Sequence, residues 1–298
     1  MLSDLLERFA AKDRLALARL LTLVARGESL SAIDTAIAPR GPATAVVAIT
    51  GNAGVGKSTL VGKLAEYLRG QGKSVAVLAC DPQSPLTGGA LLGDRIRMPS
   101  RPDDAGLYIR SLAAVSGHQA VAEHVELMIR LLAAFGFDVI LLETVGAGQG
   151  DTAVRELADV VALLVQPESG DELQWEKAGL LEVADVIVVH KADLAGSERT
   201  EGQVKELLSL PGCRDVAVLR VSSAKNLGLA ELWAAILASP HHKPVTGDGQ
   251  SLLKRAQQLL ADRFHEGSAS VKPVVERWRR GELDEAQAAT ELLHLLGQ

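Results

Sequence analysis

The stretch Ala45-Val46-Val47-Ala48-Ile49-Thr50-Gly51-Asn52-Ala53-Gly54-Val55-Gly56-Lys57-Ser58-Thr59 decides the fold of this chain. An apolar run ending at Thr50 reads as a buried strand, and the residues from Lys57 onward open a helical pattern. Between them, Gly51 to Ser58 carry the spacing G-x-x-x-x-G-K-[ST]. Glycines at 51, 54 and 56 let backbone N–H groups turn inward around phosphate oxygens, at the positive end of the following helix. Lys57 would reach the β and γ phosphates of a nucleoside triphosphate, and the Ser58 hydroxyl would hold Mg²⁺ beside them. Asn52, Ala53 and Val55 lend mainly their backbones, and Thr59 follows in the first helical turn.

Outward from this loop, short apolar runs alternate with longer helical patterns, which predicts a doubly wound, mostly parallel α/β sheet of the P-loop NTPase kind. Strands are expected over 44–50, 74–80, 107–112, 137–143, 159–166, 185–190 and 216–221, and helices over 57–70, 119–135, 172–183, 198–209 and 229–238. Ahead of the sheet, Leu5, Leu6, Phe9, Leu15, Leu17, Leu20, Leu21 and Val24 make an apolar stripe on an extended or broken helix pair. Pro39-Arg40-Gly41-Pro42 reads as the linker into the sheet, and Pro240-His241-His242-Lys243-Pro244 as the linker out. The division expected is an N-terminal helical extension over 1–40, a nucleotide domain over 41–240 and a C-terminal helical extension over 241–298, a candidate dimerisation arm.

Composition bounds the partners. A chain of 298 residues, 47% hydrophobic, buries one large core with room for an appended subdomain. A formal charge of −6, with Lys and Arg scattered, offers no basic stripe for nucleic acid. Cys80 and Cys213 stand far apart with no CxxC or Cys/His cluster, so neither a disulfide framework nor a thiolate metal site is indicated. The first residues mix acids with apolar side chains, and no stretch reaches the ~18 apolar residues of a membrane span. A cytoplasmic protein, with no membrane association, is the expectation.

Further stations lie along the sheet. The strand before Asp81-Pro82 delivers a carboxylate to the sheet's carboxyl edge, where ligands of doubly wound folds collect and where it can serve Mg²⁺. Thr87 or Asp94, in a glycine-rich loop, could also reach the metal, and Arg95 or Arg97 a phosphate. The strand ending at Leu142 leads to Glu143-Thr144-Val145-Gly146, which resembles the DxxG switch of GTPases with Glu in place of Asp, so that the Gly146 N–H could contact a γ-phosphate. Gln149 could orient the attacking water, and Arg95, Arg97 or Arg110 could act as an arginine finger. His190-Lys191-Ala192-Asp193 resembles the guanine-reading [NT]KxD element: a carboxylate at Asp193 can accept from both N1–H and N2–H₂ of guanine, a pair that adenine does not offer. His190 stands where Asn is usual, which removes the amide that would brace the phosphate loop and the base. Ser222-Ser223-Ala224-Lys225 sits where a second base-contacting loop is expected.

Longer ordered motifs carry a closer resemblance. Asp81-Pro82-x-Ser84-Pro85-x-Thr87-Gly88-Gly89, Leu92-Gly93-Asp94-Arg95-Ile96-Arg97-Met98, Gly136-Phe137-Asp138-Val139-Ile140, Glu143-Thr144-Val145-Gly146-x-Gly148-Gln149 and Gly170-Asp171-Glu172-Leu173-Gln174 are similar to those of the MeaB/ArgK-like GTPases of the SIMIBI class, which chaperone adenosylcobalamin-dependent acyl-CoA mutases. The resemblance implies that Lys57 and Ser58 serve phosphate and Mg²⁺, that Asp81, Asp94 and Glu143 form the acidic shell on the metal side, and that Asp193 reads guanine. It implies GTP and GDP as ligands, a homodimer, slow GTP hydrolysis raised by the mutase partner, and a partner-responsive switch over Gly170 to Lys177. Departures cluster in partner-facing parts: Ala114-Val115-Ser116-Gly117-His118 replaces a basic glycine-rich loop, and Trp175-Glu176-Lys177-Ala178-Gly179 carries one positive charge fewer and an added aromatic. The alternatives are a metallochaperone GTPase of the same class, which would want a Cys/His site, and a nucleotide-dependent kinase, which would want an acceptor pocket.

Overall fold

The computed structural model describes residues 2–41, 43–82, 104–114, 121–145, 154–167, 183–210, 213–240 and 268–295. The chain divides into two compact units, Met1–Pro244 and Val245–Gln298. In the first, strands β1 (Ala45–Gly51), β2 (Val75–Pro82), β3 (Leu107–Ala114), β4 (Val139–Glu143), β5 (Val160–Val165), β6 (Val186–His190) and β7 (Ala217–Val221) form one sheet in the order β3-β2-β4-β1-β5-β6-β7. Every neighbouring pair is parallel. All seven expected strands are present, each shifted by two residues or fewer at its start.

Helices cover both faces, which is why β1, β4 and β6 are buried almost without interruption rather than in alternation. Val46 and Ala48 of β1 face a core shared with Leu17, Leu20 and Leu21 of α2 (Arg14–Ala25) and Met128, Leu131 and Leu132 of α5 (Val125–Phe135). Val47 and Ile49 face the opposite core, built with Leu60, Leu64 and Leu68 of α4 (Lys57–Gly70) and Leu232 and Trp233 of α8 (Leu229–Ala238). A smaller cluster joins Leu163 and Ile187 to Val204 of α7 (Ser197–Leu208).

The expected apolar stripe near the start is a broken pair, α1 (Leu2–Ala10) and α2, interrupted where Lys12 takes φ +65 and Asp13 caps α2 by accepting from Leu15 and Ala16 N–H. Leu5 and Phe9 of α1 and Ile33 of the short α3 (Leu30–Ala36) join the first core, so these helices belong to the same unit as the sheet. The expected linker is fastened as well: Arg40 forks onto Asp159 at 2.5 and 2.6 Å, and Asp159 also accepts the Val46 N–H at 2.7 Å. Helix α5 starts at Val125, later than the expected 119, because His124 sits in left-handed backbone at φ +57 and ends any helical run before it. The short α6 (Val154–Leu157) precedes β5. In the second unit, α9 (Ser268–Arg279) and α10 (Glu285–His294) are joined by an Arg277–Glu291 ion pair at 2.5 Å, and Asp284 and Gln287 form a capping box at the start of α10. The helix expected over 172–183 lies, up to residue 182, outside the described residues.

Sheet order places the site. From β1 the chain crosses to β2 on one side and, after β4 fills the gap, continues to β5, β6 and β7 on the other. The crevice beyond the carboxyl end of β1 is therefore the point where the winding reverses, the place at which such sheets bind ligands.

Candidate nucleotide site

The loop from Gly51 to Gly56 joins β1 to α4 across this crevice. Gly51 takes φ +140, and a Cβ there would lie 2.5 Å from the Leu164 carbonyl oxygen of β5, so the loop leaves the strand along a path only glycine fits. Gly56, at φ +100, is the N-cap of α4 and offers no side chain to the first N–H groups of the helix. Those donors and the helix dipole make a positive mouth suited to an anion. Asn52, Ala53, Gly54 and Thr59 are exposed, whereas Lys57 and Ser58 are buried. The Lys57 ammonium folds back onto the loop's own carbonyls, donating to Gly51 at 2.8 Å and Asn52 at 3.1 Å. That places a positive charge at the loop's centre, held by groups that a phosphate oxygen can displace.

On the β4 side, Ser58 Oγ donates to Glu143 Oε1 at 2.7 Å. Glu143 is 2% exposed and Asp81 5%, so two carboxylates lie buried at the carboxyl ends of β4 and β2, Glu143 against the Ser58 hydroxyl. The neighbouring Cys80 registers their charge: burial first, and then the negative charge of Glu143 and Asp81, push its thiol up to about 12. Hard oxygen donors in such a setting are those a small divalent cation takes. Among the described residues, no group of three or more His, Cys, Asp or Glu side chains could hold a metal ion by itself. Thr144 continues the strand edge, with its hydroxyl donating to Thr50 at 3.0 Å and its N–H to the Ile49 carbonyl at 3.1 Å. Asp94, Gly146, Gln149, Arg95, Arg97 and Trp175 lie outside the described residues. Arg110 of β3 donates to Thr22 of α2 at 3.2 Å.

The third side is built from the ends of β6 and β7. Asp193 is exposed, and its carboxylate accepts from the Ser222 hydroxyl, a bond that holds its pKa below the usual carboxylate range. Ser222 in turn accepts the Lys225 N–H at 3.2 Å, which draws the loop Ser223-Ala224-Lys225 toward Asp193. Lys191, in left-handed backbone at φ +57, sends its ammonium to the Gly54 carbonyl at 3.2 Å and to Gln166 Oε1 at 2.8 Å. The brace expected to be missing at His190 is present: the ring is 3% exposed, with Nδ1 2.8 Å from the Val55 carbonyl oxygen and Nε2 2.8 Å from Ser223 Oγ. The physical reason is that imidazole, like an amide, carries two polar atoms pointing in different directions. Burial pulls the ring's pKa below its ordinary value and so favours the neutral form. Gln166 escaped the sequence reading, and nothing local marks it.

Comparison with known proteins fits this geometry. Residues 17–272 match the family model described as methylmalonyl Co-A mutase-associated GTPase MeaB. The chain belongs to the MeaB family. A Pyrococcus abyssi protein provisionally assigned as a GTPase is 40% identical over 87% of this chain and 82% of its own length. The mouse methylmalonic aciduria type A homolog is 35% identical over 70% of this chain and 52% of its own, and a fused isobutyryl-CoA mutase from Geobacillus kaustophilus is 37% identical over 69% of this chain and 20% of its own. The crystal structure of a LAO/AO transport system kinase superposes with a TM-score of 0.64 at 22% identity, covering 100% of this chain and 98% of that one, which speaks to the fold.

As a MeaB-family protein the chain is a P-loop GTPase, binding guanine nucleotide and hydrolysing GTP. No helix among the described residues is long and apolar enough to cross a membrane.

Proposed function

We propose that this chain is a GTP-hydrolysing chaperone for an adenosylcobalamin-dependent acyl-CoA mutase, acting as a cytoplasmic homodimer with a slow intrinsic turnover that the partner raises. The observation that carries the partner is the fused isobutyryl-CoA mutase, in which a segment similar to most of this chain lies in one polypeptide with a protein named as a mutase. Covalent fusion keeps two activities at high effective concentration, and the family description names the same association.

In this reading Gly51 to Ser58, with Thr59, hold the phosphates, and Lys57 neutralises the charge that develops on the transferred group. Ser58, Asp81, Asp94 and Glu143 would hold Mg²⁺. The donor set fits such an ion: hard oxygens, two buried carboxylates and, among the described residues, too few protein ligands to complete a shell, so phosphate and water would supply the rest. When bound, the ion would add Lewis-acid stabilisation of the phosphates. Gly146 would report the γ-phosphate and Gln149 would place the water. His190, Lys191, Asp193 and the loop Ser223-Ala224-Lys225 would form the base side.

The test is capture from the native cytosol with the protein loaded with a non-hydrolysable GTP analogue, with GDP, or carrying Lys57→Ala. Recovery of an acyl-CoA mutase or a cobalamin adenosyltransferase that depends on nucleotide state is the expected result. Recovery of a metalloenzyme, or of no cobalamin protein in any state, overturns the client assignment. Undiminished GTP hydrolysis by Lys57→Ala overturns the phosphate assignment.

A further inference from the structure

His190 is the one base-side residue whose chemistry departs from the expected motif, and its surroundings define what it does. The ring ends β6, buried, between the phosphate loop and the loop after β7. A carbonyl oxygen can only accept, so Nδ1, 2.8 Å from Val55 O, carries the hydrogen. In a neutral ring Nε2 is then an acceptor, and the Ser223 hydroxyl at 2.8 Å donates to it. The tautomer is thus set by its partners, and both polar atoms of the side chain are engaged within the protein.

Fixing the Val55 carbonyl has a consequence for the loop. A peptide unit is planar and trans, so its C=O and N–H point in opposite directions. Holding Val55 O against His190 turns the Gly56 N–H away from the ring. Lys191 holds the preceding carbonyl, Gly54 O, at 3.2 Å and is itself steadied by Gln166. Two consecutive carbonyls are therefore held from β6, and such outward anchoring preorganises a nest of N–H groups for an anion. The fit is close: a Cβ on Gly56 would lie 2.6 Å from both Cε1 and Nδ1 of His190.

We propose that His190 is a positioning residue that locks the phosphate loop to the base loop, and that it makes no hydrogen bond to the guanine base. An asparagine making the same two bonds would keep one N–H for a further acceptor, whereas imidazole keeps none. Guanine presents O6 and N7 as acceptors on the edge opposite N2. In this protein position 190 offers them nothing, and side-chain reading of the base falls to Asp193. The inference rests on the guanine-nucleotide reading of this site.

The experiment measures dissociation constants for GDP and 7-deaza-GDP, which lacks the N7 acceptor, in the wild type, His190→Ala, His190→Asn and Ser223→Ala. The expected result is that His190→Ala weakens both nucleotides by the same factor, about 10- to 100-fold for two lost hydrogen bonds transmitted to the loop. The ratio of the two constants stays at its wild-type value. Ser223→Ala weakens both by a smaller common factor, and so tests the same point should His190→Ala fail to fold. His190→Asn rescues GDP binding to within about threefold, because the amide reproduces both bonds. A ratio that drops in His190→Ala or Ser223→Ala means that the ring reads the base, and overturns the proposal. Wild-type affinity in His190→Ala overturns the positioning role. Failure of the wild type to bind either nucleotide overturns the site itself, an outcome distinct from any change in ratio.

Discussion

Substituting alanine for each of two glycines of the phosphate loop separates backbone strain from contact with His190. Gly54 takes φ +76 and Gly56 φ +100, so Gly54→Ala and Gly56→Ala both force a Cβ into backbone that L residues avoid, at a cost of roughly 1–2 kcal/mol each. That cost is common to the two variants. The difference is space: a Cβ at 54 meets nothing within 4 Å, whereas one at 56 falls 2.6 Å from the imidazole, so the ring must move. Displacing it breaks the bonds to Val55 O and Ser223 Oγ, each worth about 1 kcal/mol and both buried. Gly56→Ala should therefore be less stable than Gly54→Ala by about 2 kcal/mol. In urea unfolding of the nucleotide-free protein, with a slope of about 2–3 kcal/mol/M, that is a midpoint lower by ~0.7–1 M. Adding His190→Ala to each variant should remove the difference, since the obstacle has gone, giving a coupling of about 2 kcal/mol between positions 56 and 190. Equal midpoints for the two glycine variants, or an additive cycle, would refute the reasoning.

Asp193→Asn should move the nucleotide preference from guanosine toward xanthosine by tenfold or more, because an amide can donate to the xanthine carbonyl where the carboxylate accepted from N2–H₂; competition binding with GDP and XDP decides it. Only one thiol should react with a maleimide in the folded protein at pH 7: Cys213 is exposed, while Cys80 is buried with its thiol pushed up to about 12, and two equivalents in the native state would contradict this. Burial, followed by the positive charge of Lys191, holds His190 below its ordinary pKa against the opposing pull of Val55 O and Asp193. Its folded value is depressed, so the unfolded chain takes up the proton first, and stability falls as pH drops below about 6.5. In His190→Asn that part of the pH dependence should vanish from urea midpoints measured between pH 7.5 and 5.5, and an unchanged slope would count against the buried neutral ring.

The sheet was legible because parallel strands covered on both faces are written as uninterrupted apolar runs, and β1, β4 and β6 are runs of that kind. Helix α4 was equally plain, with glycine before it and a lysine opening it. Helix α3 left no trace, since its seven residues bury only Ile33 fully, with Leu30 partly buried against the core, too few to read a period from. On the site, residue types announced the phosphate loop and Asp193, but the brace at His190 was misread. Reasoning from the usual side chain registered the lost amide and passed over the ring's second nitrogen, which is visible only once β7 brings Ser223 beside it. Gln166 was illegible for a similar reason: its partner Lys191 lies on a neighbouring strand end, and no local pattern ties the two.

The contacts divide the proposed nucleotide site into a fixed side and a responsive one. On the base side, His190, Lys191, Gln166, Ser222 and Ser223 bond to one another's loops or to the phosphate loop, so β6 and β7 hold that region with protein groups alone. On the opposite side, the Ser58 hydroxyl donates to Glu143 Oε1 at 2.7 Å. The carboxylate therefore orients the hydroxyl and would sense the charge of a cation held there. Glu143 runs directly into Thr144, which is tied to Thr50 and Ile49 at the root of the phosphate loop. In the proposed site a change at the phosphates would reach residues 143 and 144 through Ser58, while the base side is held from β6 and β7. Under the proposed function, such an arrangement would let the β4 edge respond to the phosphates while the guanine stays seated.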